Sequence, residues 1–143
     1  MLAKTLLRRL EVHLTVDHPR FSSAELEKLL ALHADERWDA GQRYRPSPDS
    51  AEQSYQFSRW ALREFACSLD ELTEATHNLA LRVQKIEHRF SLLPSDADIT
   101  LTLFVTEVDT VMGFGFDTAF LKLLGRINAG VEVSLVVSPP MSN

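Results

Sequence analysis

LEVHLTV, residues 10–16, sets Leu10, Val12, Leu14 and Val16 against Glu11, His13 and Thr15. A period of two sends successive side chains to opposite faces, so the stretch reads as a β-strand with one buried face. The rest of the chain must then supply strands beside it and a layer over its apolar side.

Upstream, MLAKTLLRR begins as a secretory leader would, but Arg8 and Arg9 interrupt the apolar run and Glu11 follows. No stretch reaches the ~18 apolar residues a membrane span needs. The chain has 143 residues, 45% apolar and 24% charged, which suits one globular domain with a real core. Its net charge of −5 disfavours nucleic acid and anionic lipid. One cysteine, Cys67, excludes an internal disulfide and suits a reducing compartment. The expectation is a cytoplasmic domain over 1–143, with its core at about 10–137 and a tail at 138–143.

Downstream, Ser22 and Glu25 form a capping box and Phe21 can staple onto Leu26. Leu26, Leu29, Leu30 and His33 then mark one face of a short helix. ERWD suits a short edge strand, Gly41 a turn, and RPSPDSAEQ a loop, because its prolines remove backbone donors. SYQFSRWAL alternates, with Tyr55, Phe57 and Arg59 on one side and Ser58, Trp60 and Leu62 on the other; neither side is purely polar, so a strand covered on both sides is expected.

Ser68 and Glu71 open a second helix, with Cys67 placed to staple on Leu72. Its stripe of Leu72, Ala75, Leu79, Val83, Ile86 and Phe90 predicts more than twenty helical residues, ended by Pro94. ITLTLFVTEV is a further strand. Asp117 caps a third helix bearing Phe120, Leu123, Leu124 and Ile127, Gly130 stands where a left-handed cap belongs, and VEVSLVV is the last strand. The order β-α-β-β-α-β followed by α-β predicts an α+β fold. It is a ferredoxin-like βαββαβ arrangement with an added C-terminal α-β unit, in a single sheet of about five strands with helices mainly on one face.

The pieces VHLTV, ELEKLLALHADERWDAG, SRWALRE, LALRVQKIEHRF and GFGFDTAFLKLLGRINAGVEVSLVV occur in an order that resembles the bacterial Domain of Unknown Function 4279 family. The likeness covers about residues 10–137. It implies the same succession of strands and helices and brings no activity or catalytic residue with it. The loop from Tyr44 to Gln53 is longer than that family leads one to expect.

Little in the chain resembles a reaction centre. His77 and His88 lie eleven residues apart on a helix, about 16 Å, too far to share an ion. No cofactor and no metal is expected. At GFGFDT the Asp117 carboxylate would occupy the amides an anion needs, so the glycines serve the turn, and an outward Phe114 would be an interaction residue.

The remaining cluster lies in residues 37–63. Arg37, Trp38, Arg43, Arg45, Arg59, Trp60 and Arg63 would converge if residues 36–40 and 54–62 form a hairpin. Guanidiniums beside indoles can hold a carboxylate, a phosphate or an acidic protein surface. Asp35, Glu36, Asp39, Asp49, Glu52 and Glu64 lie in the same segment, so the arginines can equally pair locally, with Trp38 and Trp60 as packing residues.

The reading that follows is a non-catalytic protein-interaction domain, a regulator or a toxin's partner. A small-ligand module or enzyme with a pocket near the 41–54 loop is the alternative. RNA binding comes third, because the basic flanks of such a sheet are missing. The partner is another protein, and a last apolar strand would invite a homodimer if it proves to be an edge. No membrane partner is expected.

Overall fold

A computed structural model of the chain describes residues 9–106 and 115–136. The opening strand, β1 (Arg9–His18), lies at the centre of a five-stranded sheet, with Leu10, Val12, Leu14 and Val16 all buried. Covering each such side chain is worth about 1.5–3 kcal/mol.

Either side of β1 runs an antiparallel neighbour, β5 (Ser58–Ala66) or β6 (Asp98–Thr106), so that Leu14 stands between Leu62 and Leu101. A three-residue strand, β2 (Glu36–Trp38), pairs antiparallel with β5 at one edge. At the other edge β7 (Gly130–Val136) runs parallel to β6. The order is β2-β5-β1-β6-β7. The expected α+β chain with one main five-stranded sheet is what forms.

The helices α1 (Ser23–Leu30), α2 (Leu69–Gln84) and α3 (Thr118–Arg126) contribute Leu26, Leu30, Leu72, Leu79, Val83, Phe120, Leu123 and Leu124 to the same core as the even-numbered residues of β1. Sheets of this kind leave their second face to polar side chains. That second face carries Glu11, His13, Asp17, Arg59 and Arg63 with Phe65 and Phe104, so β5 is covered by helices on one side and not, as expected, on both.

The capping box at α1 forms as expected: Glu25 N–H donates to Ser22 Oγ and Ser22 N–H donates to Glu25 Oε1, each at 3.1 Å. The helix stops earlier than the apolar pattern implied. Ala31 turns left-handed at φ 55°, which carries His33 off the helix and into solvent. Glu27 holds that turn by accepting the Ala34 N–H at 2.9 Å.

The long second helix divides. α2 ends at Gln84, and a 3₁₀ helix spans Glu87–Leu92. Ile86 leaves the helical region at φ −121°, and Arg89 N–H bonds Ile86 O across three residues, which tightens the turn. Arg89 then donates to Leu29 O at the open end of α1, satisfying a carbonyl the helix cannot. Ile86 and Phe90 stay in the core throughout.

Two other local expectations are corrected. Cys67 is exposed and does not staple α2; its amide instead donates to Glu71 Oε2 at 2.6 Å. The left-handed cap after α3 is Asn128, φ 62°, and Gly130 already belongs to β7. Ala129 N–H reaches Leu124 O and Asn128 N–H reaches Gly125 O, the paired bonds of a Schellman ending.

The proline-bearing loop is partly strand. β3 (Arg43–Tyr44) and β4 (Gln53–Ser54) make a small antiparallel pair, entered through Gly41 at φ 84°.

Candidate functional site

Trp38 in β2 stands opposite Arg59 in β5, and Arg59 opposite Asp17 in β1. Period-two alternation puts all three on the helix-free face of the sheet. Arg59 grips Asp17 through two hydrogen bonds, Nε to Oδ1 at 2.7 Å and Nη2 to Oδ2 at 2.8 Å. Burial pulls the Arg59 guanidinium down, but this pairing outweighs it and holds the group above its ordinary value. The same guanidinium carbon lies 4.8 Å from the Trp38 ring centre and 5.3 Å from that of Phe57.

Trp38 stacks on Tyr55 at 4.2 Å and 12°, and Tyr55 stacks on Tyr44 at 4.1 Å and 16°. Tyr44 Oη donates to Gln53 Oε1 at 3.0 Å. The result is a column running Asp17, Arg59, Trp38, Tyr55, Tyr44, which ties the β3–β4 pair to the main sheet. Aromatic contacts of this geometry contribute about 0.5–1.5 kcal/mol each.

Further along the same face, Arg63 lies between Glu11 at 3.2 Å and Glu36 at 3.3 Å, with its guanidinium 5.0 Å from the Phe65 ring. Glu11 also meets His13 Nε2 at 3.2 Å. Burial pushes the Glu11 carboxyl up, yet the bonds from His13 and Arg63 bring it below its ordinary value. The guanidiniums of Arg59 and Arg63 are thus already matched by acids of the chain. Two buried donors on this face, Trp38 Nε1 and Arg63 Nε, have no hydrogen-bond partner among the described residues.

The segment 37–63 therefore converges in part. Trp38, Arg59 and Arg63 share one face. Trp60 points the opposite way, fully buried in the core, and its Nε1 donates to Leu32 O at 2.9 Å. Arg37 lies on the other side of β2 from Trp38, 3.6 Å from Glu27. Arg43 is 3.6 Å from Glu52, and Arg45 donates to Ser50 O at 2.9 Å, both in solvent. Phe114 lies outside the described residues. Tyr55 and Asp17 complete the column without having been singled out, although the alternation placing Tyr55 with Arg59 was readable.

A second surface is apolar. β7 is an edge strand: among the described residues it pairs with β6 alone. Val131, Val133 and Leu135 recur on one side of it and are 46%, 48% and 64% exposed. GVEVSLV contains no lysine, arginine or proline, the residues that commonly guard such an edge.

Three open clefts of about 300, 420 and 380 Å³ are lined by described residues, and none of the three takes a residue from the 41–54 loop. Among the described residues no group of three His, Cys, Asp or Glu side chains could hold a metal, and no helix is long and apolar enough to cross a membrane.

No curated protein and no solved structure matches the chain. A family model does: residues 8–138 match Domain of unknown function (DUF4279), nearly the whole sequence, and the chain belongs to that family.

Proposed function

We propose that this is a non-catalytic protein-interaction domain whose contact surface is the β7 edge. The observation that carries the reading is the stripe of Val131, Val133 and Leu135, exposed on a strand whose outer side pairs with nothing among the described residues. Unpaired backbone groups beside apolar side chains are the materials of recognition by strand addition.

The polar face supports the same reading from the other side. Arg59 and Arg63 are committed to Asp17, Glu11 and Glu36, so neither guanidinium is left to polarise a substrate or neutralise a phosphate. The net charge of −5 points the same way, against RNA. An exposed single cysteine suits the reducing bacterial cytoplasm, where we place the protein.

The frame itself we read as ferredoxin-like. In β2-β5-β1-β6 every neighbouring pair is antiparallel, and β5 separates β1 from β2, with α3 and β7 appended.

The test places a photo-crosslinking side chain at Val133 or, as a control, at exposed Glu74 on α2, in cells of the source organism. Protein adducts at Val133 and none at Glu74 are expected. Absence of adducts at Val133, or equal labelling at both positions, overturns the proposal.

A further inference from the structure

We propose that the occupant of the β7 edge is a second copy of this chain, paired antiparallel with its counterpart about a two-fold axis through Val133. The inference rests on the interaction reading above and adds the identity of the partner.

The strand is self-complementary in one register. With the axis at Val133, Val131 faces Leu135 of the second copy, Val133 faces itself, and Glu132 faces Ser134. The single charge of GVEVSLV then meets a hydroxyl, and every exposed apolar side chain meets another. An axis at Glu132 would set two carboxylates directly opposite, which is destabilising. An axis at Ser134 would set Glu132 against Val136. Closure is also isologous: each β7 edge meets its own copy, so the contact is closed by the two-fold and does not propagate through β7. Two five-stranded sheets become one continuous sheet across the seam.

The area available is modest, so the dimer is concentration-dependent, of the kind small interfaces give. A lysine in the centre of the seam introduces two like charges there and should raise the dissociation constant at least about tenfold.

Sedimentation equilibrium of the full chain, from micromolar to millimolar, is expected to show a monomer approaching twice its 16.2 kDa mass. Val133→Lys should remain monomeric over the range where the parent dimerises, with unchanged circular dichroism because the side chain is half exposed. The register is tested in a Cys67→Ser background. Val133→Cys should oxidise to a disulfide-linked dimer and Glu132→Cys should not, since its counterpart position is Ser134. A chain that stays monomeric throughout overturns the proposal, as does a dimer indifferent to Val133→Lys or equal linking at 132 and 133. If the chain is monomeric while Val133 crosslinks a different protein, the interaction reading stands and the dimer falls.

Discussion

Asp35 holds Arg82 through both carboxylate oxygens, at 2.8 and 3.0 Å, and so ties the start of β2 to the last turn of α2. The same residue extends the sheet where β2 has not yet begun. Asp35 N–H donates to Ala61 O at 2.9 Å, and its carboxylate accepts the Arg63 N–H at 2.9 Å, standing in for a strand along β5. Arg82 reaches Glu64 as well, at 3.0 Å.

Asp35→Ala keeps the backbone bond to Ala61 O but removes the acceptor of the Arg63 amide and leaves Arg82 with Glu64 alone. A loss of about 1–2 kcal/mol in urea unfolding is expected, since charge-assisted bonds on a half-exposed surface are worth little apiece. Asp35→Asn should recover part of it by still accepting the Arg63 amide. Equal losses for Ala and Asn would show that the amide bond contributes nothing.

Acid should weaken the protein in a defined window. Burial pushes the Asp35 carboxyl up, but Arg82 and the Arg63 amide pull it below its ordinary value. Glu27 and Asp39 are lowered chiefly by the amides of Ala34 and Ser23. A carboxyl depressed in the folded chain binds protons more readily once unfolded, so its contribution is complete above the unfolded value, about pH 4, and is lost as pH falls through the folded one. Urea midpoints should drop below about pH 4. Asp35→Asn should make that drop shallower; an identical acid limb would remove Asp35 from the account.

His18 is 1% exposed and works as a bracket. Its Nδ1 accepts the amides of Arg20 and Phe21, each at 3.0 Å, so the ring proton sits on Nε2, which donates to Asp96 Oδ1 at 2.8 Å. Nitrogen-detected NMR should find the Nε2–H tautomer. His18→Leu keeps the volume but orphans two amides at the turn into α1, a cost of about 2–3 kcal/mol, whereas Asp96→Ala should cost less because that carboxylate is half in water. An Nδ1–H tautomer would contradict the geometry.

Much of this frame was legible in period alone. The alternation of β1 and β6 decided which side chains enter the core, because a pleated strand with one covered face leaves no choice, whereas β5, with apolar residues on both sides, left it open. Capping residues at Ser22, Ser68 and Asp117 located helix starts correctly, each accepting an amide three residues on. Helix ends were less legible. Ala31 and Asn128 adopt left-handed turns that composition assigns to glycine, and the break after Gln84 depends on Arg89 finding Leu29 O, a contact between elements sixty residues apart. The candidate cluster divided for a plain reason: Trp38 and Trp60 are both tryptophans, but they face opposite sides of adjacent strands. Alternation placed Tyr55 beside Arg59, but its stack on Tyr44 was hidden, because the two-residue strands β3 and β4 leave no periodic trace.

The two tryptophans should accordingly fail in different ways. Trp60 fills the interior and is fully buried, so Trp60→Ala opens a cavity that its neighbours cannot close, at about 3–5 kcal/mol. Trp60→Phe should cost less, forfeiting the bond to Leu32 O and part of the volume. Trp38→Ala removes the middle of the column instead: Arg59 keeps Asp17, but Tyr55 and Tyr44 lose their anchor on the sheet. Its global cost should be only about 1–2 kcal/mol, while amide exchange at Gly41 and Tyr55, which hold the base of the β3–β4 pair, should quicken well beyond that of β1. Limited proteolysis should then cut between residues 45 and 53 in Trp38→Ala and spare the parent chain. If instead both alanine variants unfold in one step with similar losses and no selective exchange, the column is part of the main core's cooperative unit, and the β3–β4 segment is not a separately anchored piece.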